Sequence, residues 1–129
     1  VGTVNFAATF PACRAVVHHG GAGTTAASLR AGVPALILWT WPDQSFWGAQ
    51  ITRLKVGTAR RFSTITQKSL VADLRKVLAP EYAIRARELA PRTTKPAESV
   101  AAAADHVENV ARLRRAGRSA NAGRHDDPE

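Results

Sequence analysis

One short stretch of the chain combines glycines with side-chain hydrogen-bond donors. Its members are His19, Gly20, Gly21, Gly23 and Thr24. The stretch lies between a β-branched run ending at His18 and a series of good helix formers, so the pattern predicts a strand, a turn and a helix N-terminus. Backbone N–H groups and the positive end of the helix dipole converge on such a turn, and the glycines let an anion approach closely. We therefore predict a phosphate site here and interpret His18 as structural.

The same stretch also matches a dinucleotide-binding fingerprint. The pattern runs from Gly21 through Gly23 to Ala26, and Asp43 lies about 20 residues beyond Gly23, where an acid for the ribose is expected. That acid belongs at the end of the following strand, whereas Asp43 follows Trp41-Pro42 in a loop. A dinucleotide-binding oxidoreductase is therefore the second interpretation.

The turn must be positioned by the elements around it. The pattern predicts a strand at 15–18, a helix at 25–31 that Thr24 caps and Gly32 ends, and a strand at 35–39 that is apolar on both faces. Joined by a short helix, the two strands are expected to be neighbours and parallel, with a right-handed crossover.

The rest of the chain is predicted to be mainly helical. The expected elements are a helix at 44–54 ended by Gly57, a strand at 56–62, a helix at 67–78 capped by Ser63 or Thr66, and helices at 81–89 and 97–115. Residues 117–129 have little to bury and are predicted to form a disordered tail. The expected fold is α/β, a Rossmann-like parallel sheet followed by C-terminal helices, with one domain over residues 1–116.

Composition and charge limit the function classes. The chain has 129 residues, 45% of them hydrophobic, as expected of one folded domain. Its net charge of +8 should attract anions, but the basic residues of the last helix are not interleaved with aromatics, which argues against nucleic acid. The apolar stretch 33–41 is too short for a transmembrane helix. A single cysteine, Cys13, fits a reducing compartment, so we expect a cytoplasmic protein. We also expect it to bind no metal or cofactor. The N-terminus shows no signal peptide and reads as cut from a longer chain.

Three motifs occur in a fixed order, namely His18–Thr25, Arg30–Pro34 and Asp43–Trp47. Together they resemble the nucleotide-diphospho-sugar glycosyltransferases of the GT-B fold, in particular those acting on sterols, lipids, and macrolide or glycopeptide antibiotics. The similarity extends from about Val4 to about Val110.

The resemblance implies roles for individual residues. His19 and Thr24, with the backbone amides of Gly20, Gly21 and Gly23, would bind the diphosphate of the donor. Asp43 and Gln44 would hold hydroxyls of the donor sugar, and Val4 would lie at the nucleotide base.

The resemblance also implies what lies outside this chain. The acceptor-binding N-terminal domain, with the catalytic base, and the first strands of the donor domain are absent, so no catalytic residue is assigned here. Ala27 stands where many relatives have a glutamate for the ribose, and Trp39 and Pro42 replace a frequent proline and glycine, which would reshape the sugar pocket.

The expected function is therefore that of the C-terminal part of a glycosyltransferase. The intact enzyme would transfer a hexose from a UDP- or dTDP-sugar to a hydroxyl of a small hydrophobic acceptor, such as a lipid, sterol or natural product. Peripheral contact with a membrane would be compatible with such acceptors. Besides the oxidoreductase fragment, a non-catalytic donor-binding subunit or remnant is the other interpretation.

Overall fold

The computed structural model describes residues 3–122. The helices are α1 (Phe6–Thr9), α2 (Ala22–Ala31), α3 (Pro42–Arg53), α4 (Gln67–Val77), α5 (Pro80–Leu89) and α6 (Pro96–Ala122). The strands are β1 (Val16–His18), β2 (Ala35–Trp39) and β3 (Gly57–Arg61), and short 3-10 turns occur at Phe10–Ala12, Phe62–Thr64 and Ala90–Arg92. The chain divides into two units, one ending at Thr93 and the other beginning at Thr94. The division falls between two prolines, Pro91 and Pro96, and so precedes the domain boundary predicted at 116.

The first unit is built on a parallel sheet in the order β1-β2-β3. Val16 pairs with Ala35, and Ala35 pairs with Gly57 on its other side. The central strand is the most deeply buried, since Leu36 and Ile37 are 0% exposed. Both faces of β2 are therefore covered, and the predicted parallel pairing of the first two strands is confirmed.

Helix α2 begins earlier than predicted. Its N-cap is Gly21, and Thr24 lies within its first turn, so the prediction that Thr24 caps the helix is wrong. The physical reason lies at Thr25, whose backbone N–H and hydroxyl both donate to the carbonyl of Gly21, each at 2.9 Å. Gly32 ends the helix in the left-handed conformation, with φ +66°, as predicted.

Helix α3 also differs from its prediction at both ends. It begins at Pro42, a residue whose missing N–H costs nothing in a first helical turn, and it ends at Arg53. The left-handed residue after it is Lys55, with φ 57°, and not Gly57. Gly57 instead begins β3, where a side chain would collide with the carbonyl of Ala35 on β2.

Helix α4 begins at a capping residue and is joined to the sheet by an ion pair. Thr66 is the N-cap, as predicted, and its hydroxyl accepts the N–H of Ser69 at 3.1 Å. The guanidinium of Arg60 on β3 contacts both carboxylate oxygens of the buried Asp73, at 2.6 and 3.1 Å. This bidentate pair joins the last strand to α4.

The second unit consists of helix α6. Lys95 precedes it, and its N–H donates to the carboxylate of Glu98 at 3.3 Å. The helix continues to Ala122, so residues 117–122 are helical where composition predicts a tail, as their Ala and Arg content allows. The remainder of that predicted tail, 123–129, lies outside the described residues. None of the helices described between residues 3 and 122 is both long and apolar enough to span a membrane.

Candidate functional site

The glycine turn lies at the carboxyl end of β1. Gly20 has φ +95°, which disfavours any side chain. A Cβ at this position would lie 2.7 Å from Cγ2 of Ile37 and 3.1 Å from the carbonyl oxygen of Gln44. The turn is therefore packed directly against β2 and the first turn of α3, which brings the predicted diphosphate residues and the predicted sugar residues to the same edge of the sheet.

The N-terminus of α2 presents unpaired backbone donors. The N–H groups of Ala22, Gly23 and Thr24 have no acceptor within residues 3–122, because the first backbone bond of the helix is made by Thr25. A Cβ at Gly23 would meet nothing within 4 Å, so the helix N-terminus is open to its surroundings at this residue. Thr24 is half-buried beside them. This arrangement suits an anion, for which the helix dipole and the free N–H groups act together.

The two adjacent histidines have different environments. His19 is exposed, and its ring lies against the turn, since a Cβ on Gly21 would be 2.9 Å from its Nε2. His18 is half-buried, and its Nδ1 accepts the N–H of Gly20 at 3.0 Å. Burial, and then the neighbouring His19, lower the pKa of His18 to about 4. His18 is therefore neutral near pH 7, with its proton on Nε2.

That Nε2 of His18 is buried and has no hydrogen-bond partner among the described residues. Interpreting His18 as structural accounts for its Nδ1 but leaves this N–H without an acceptor. A buried unpaired donor beside an anion site is a candidate ligand contact that sequence reasoning missed. Only the adjacency of His18 to the glycines could have suggested it.

Asp43 and Gln44 lie in the first turn of α3, at the end of β2. Asp43 is exposed, and it does not cap the helix, because the N-cap position is Trp41. Gln44 is half-buried, and its Oε1 accepts three hydrogen bonds from Thr40 and Trp41. Thr40 is a second residue that the sequence analysis did not single out.

The end of β2 and the residues after it carry bulky groups. Trp39, the last residue of β2, is half-buried, and the guanidinium carbon of Arg61 lies 5.8 Å from the centre of its ring. Trp41 is 68% exposed. The expectation that Trp39 and Pro42 reshape the sugar pocket stays a prediction.

Val4 is exposed, just before α1, where Asn5 accepts the N–H of Ala7 and so caps the helix. The contact of Val4 with a nucleotide base stays a prediction.

In the part of the chain that the structure describes, no three His, Cys, Asp or Glu side chains cluster as metal ligands would.

Comparison with known proteins decides the family. The model of the Erythromycin biosynthesis protein CIII-like C-terminal domain matches residues 1–110. The chain belongs to this family. An uncharacterized glycosyltransferase of Mycobacterium leprae is 69% identical over 111 residues, which make up 86% of this chain and 26% of that protein. A sterol 3-beta-glucosyltransferase of Arabidopsis thaliana is 42% identical over 97 residues, covering 74% of this chain and 16% of that protein.

A solved structure shows the same fold. Glycosyltransferase VinC, crystallised in complex with dTDP, superposes with a TM-score of 0.65 at 30% identity over 70% of this chain and 23% of that one. The fold is thus that of the C-terminal domain of GT-B glycosyltransferases, as the motifs predict. The chain spans about a quarter of the length of the first curated relatives it matches, 26% and 28%. The comparisons favour the glycosyltransferase interpretation over the dinucleotide one.

Proposed function

We propose that this chain is the donor-binding part of a nucleotide-sugar-dependent glycosyltransferase. The observation that carries the proposal is the group of three unpaired amides at the N-terminus of α2, which follow a glycine turn that packs against Gln44 at the start of α3. A diphosphate bound to these amides would place the attached sugar at the start of α3.

The diphosphate contacts follow from the donors at the turn. The amides of Ala22, Gly23 and Thr24, the Thr24 hydroxyl and the exposed ring of His19 all lie on the turn or the first turn of α2. His18, next to this turn, carries a further unpaired donor, its buried Nε2–H. We expect these groups to neutralise the charge of a UDP or dTDP diphosphate without a metal ion or another cofactor.

The sugar contacts follow from charge. A carboxylate at Asp43 would repel a phosphate but accepts hydrogen bonds from hydroxyl groups. Asp43 forms no hydrogen bond or ion pair within residues 3–122, so its oxygens are free for a ligand. The pair Asp43 and Gln44 therefore suits the hexose of the donor.

The intact protein, on this proposal, transfers the hexose to a hydroxyl of a lipid, sterol or natural product. The sterol named in the Arabidopsis relative and the dTDP in the VinC complex support an acceptor and a donor of these classes. An acceptor-binding domain would supply the catalytic base. A cytoplasmic location belongs to the same proposal and agrees with the free thiol of Cys13.

Calorimetric titration tests the diphosphate site. Wild-type protein is expected to bind UDP or dTDP but not NAD. Thr24→Ala removes a hydroxyl donor to a charged group, which should cost about 1.5–3 kcal/mol of binding free energy. His19→Ala and His18→Asn are expected to weaken binding as well, and Ser63→Ala, an exposed hydroxyl after β3, is the matched control. Affinities unchanged in all three variants would contradict the assignment.

A second titration tests the sugar contacts. Asp43→Asn in the full-length protein should weaken binding of the nucleotide sugar while leaving the affinity for the bare nucleotide diphosphate nearly intact. Equal losses for both ligands would show that Asp43 supports the first turn of α3 and does not contact the sugar.

A further inference from the structure

One oxygen atom fixes the loop between β2 and α3. Oε1 of Gln44 accepts the backbone N–H of Thr40 at 2.9 Å, the hydroxyl of Thr40 at 3.1 Å and the backbone N–H of Trp41 at 3.1 Å. A carboxamide oxygen has two lone pairs. Three donors therefore use its full accepting capacity, and no lone pair of Gln44 remains for a ligand.

The same three bonds fix which way the carboxamide faces. The oxygen points to the end of β2, so the amide nitrogen must point away from it. Nε2 of Gln44 donates to no acceptor in the described part of the chain, and it is not among the polar atoms shut off from solvent. Gln44 thus presents two N–H donors, and only donors, to whatever lies at this edge of the sheet.

We infer that Thr40 is a positioning residue for the donor sugar, acting through Gln44. This inference rests on the proposed function. With its oxygen held by Thr40, Gln44 donates to a sugar oxygen, whereas Asp43 accepts from a sugar hydroxyl. The sugar position that faces Asp43 must therefore carry a hydrogen-bond donor, while the position that faces Gln44 needs only an oxygen lone pair.

The hydroxyl of Thr40 is the part of this arrangement that a substitution can remove cleanly. The backbone N–H groups of residues 40 and 41 remain in any variant at position 40 other than proline. Valine has nearly the shape of threonine and the same preference for extended backbone, but it lacks the hydroxyl. Serine restores the hydroxyl on a smaller side chain.

The first experiment compares two ligands, UDP-glucose and UDP, or dTDP-glucose and dTDP, in the full-length protein. Loss of one neutral hydrogen bond should make Thr40→Val bind the nucleotide sugar about 2- to 10-fold more weakly, with the bare diphosphate unaffected and Thr40→Ser close to wild type. Thr64→Val is the matched control, since the Thr64 hydroxyl bonds to the carbonyl of Arg61 at the end of the neighbouring strand. Equal weakening of both ligands, no weakening, or failure of serine to restore binding would overturn the inference.

The second experiment needs no ligand, and it separates failure of this inference from failure of the proposed function. Melting temperatures of Thr40→Val, Gln44→Ala and the double variant form a double-mutant cycle. We expect non-additive losses, because Gln44→Ala already removes the acceptor of the Thr40 hydroxyl. If the wild type binds neither nucleotide sugar, the proposed function fails. If the changes in melting temperature of the two single variants add up to that of the double variant, the role of Thr40 is overturned, whatever the ligand.

Discussion

At the scale of single residues, His18 is the group most affected by its surroundings. Its ring is half-buried, its Nδ1 accepts the Gly20 N–H at 3.0 Å, and burial lowers its pKa to about 4. Protonation would place a hydrogen on Nδ1, and the two N–H groups would then face each other. The shape of the glycine turn is therefore linked to the neutral state of this ring.

This linkage predicts a pH dependence of stability. The pKa of His18 is about 4 in the folded protein, against 6.5 as the ordinary value, so the unfolded chain binds more protons between these values. Its contribution to stability should be complete above pH 6.5 and decline as the pH falls towards 4. The Oδ1 of asparagine can still accept the Gly20 N–H. In His18→Asn, chemical denaturation should therefore show a smaller fall in the free energy of unfolding between pH 6.5 and 4 than in the wild type. Parallel curves for the two proteins would contradict the prediction, and His106→Asn serves as a control histidine on α6.

Residue types predicted the chemistry of the site, but they did not predict which lone pairs and N–H groups are free. At position 20 the turn requires glycine, because the φ of +95° and the closeness of Ile37 exclude a side chain. The sequence left Gln44 able to donate or accept. Only the three short distances to its Oε1 show that the oxygen is already used, because they depend on how the end of β2 meets α3.

At the scale of elements, the proposed diphosphate site depends on where α2 begins. The helix begins three residues earlier than its pattern predicts, because Thr25 bonds to the carbonyl of Gly21 through both its N–H and its hydroxyl. Gly23 and Thr24 are therefore helical, and their amides point out of the first turn. The positions of β1 and β2 were predictable from apolar runs, whereas helix ends depend on such individual bonds.

Two glycine substitutions at this element should have opposite effects on folding. Gly20→Ala places a Cβ 2.7 Å from Ile37 in a left-handed conformation, which should destabilise the protein by about 1–3 kcal/mol. Gly23→Ala meets nothing within 4 Å and improves helix propensity, so the unliganded protein should be unchanged or more stable by up to about 1 kcal/mol.

The Gly23→Ala variant also separates an effect on stability from an effect on binding. Because a methyl group at position 23 would project into the open space beside the helix N-terminus, Gly23→Ala should lower UDP or dTDP affinity although it does not harm the fold. Thermal unfolding and titration of one sample give both quantities. A Gly23→Ala variant that binds as well as wild type would show that the phosphates do not approach the helix there.

At the scale of the whole molecule, the described sheet has three strands, and β1 forms one edge. Val17 on this strand is 49% exposed. An apolar side chain on an edge strand invites pairing with further strands or with other chains. The family resemblance implies more strands of the donor domain in the full protein, and a low solubility of the 129-residue chain on its own would agree with that.

The last prediction concerns activity. The site described here holds groups suited to a diphosphate and a hexose, while the resemblance assigns the catalytic base and the acceptor pocket to another domain. We therefore expect the 129-residue chain to bind UDP or dTDP but to transfer no sugar, and the full-length protein to do both. The measurement follows a labelled hexose from UDP- or dTDP-sugar to a panel of sterol, lipid and macrolide hydroxyls, with nucleotide titration of the same samples as proof that the site is folded. Turnover by the isolated chain would place a base among its own residues and would overturn the assignment of catalysis to the second domain.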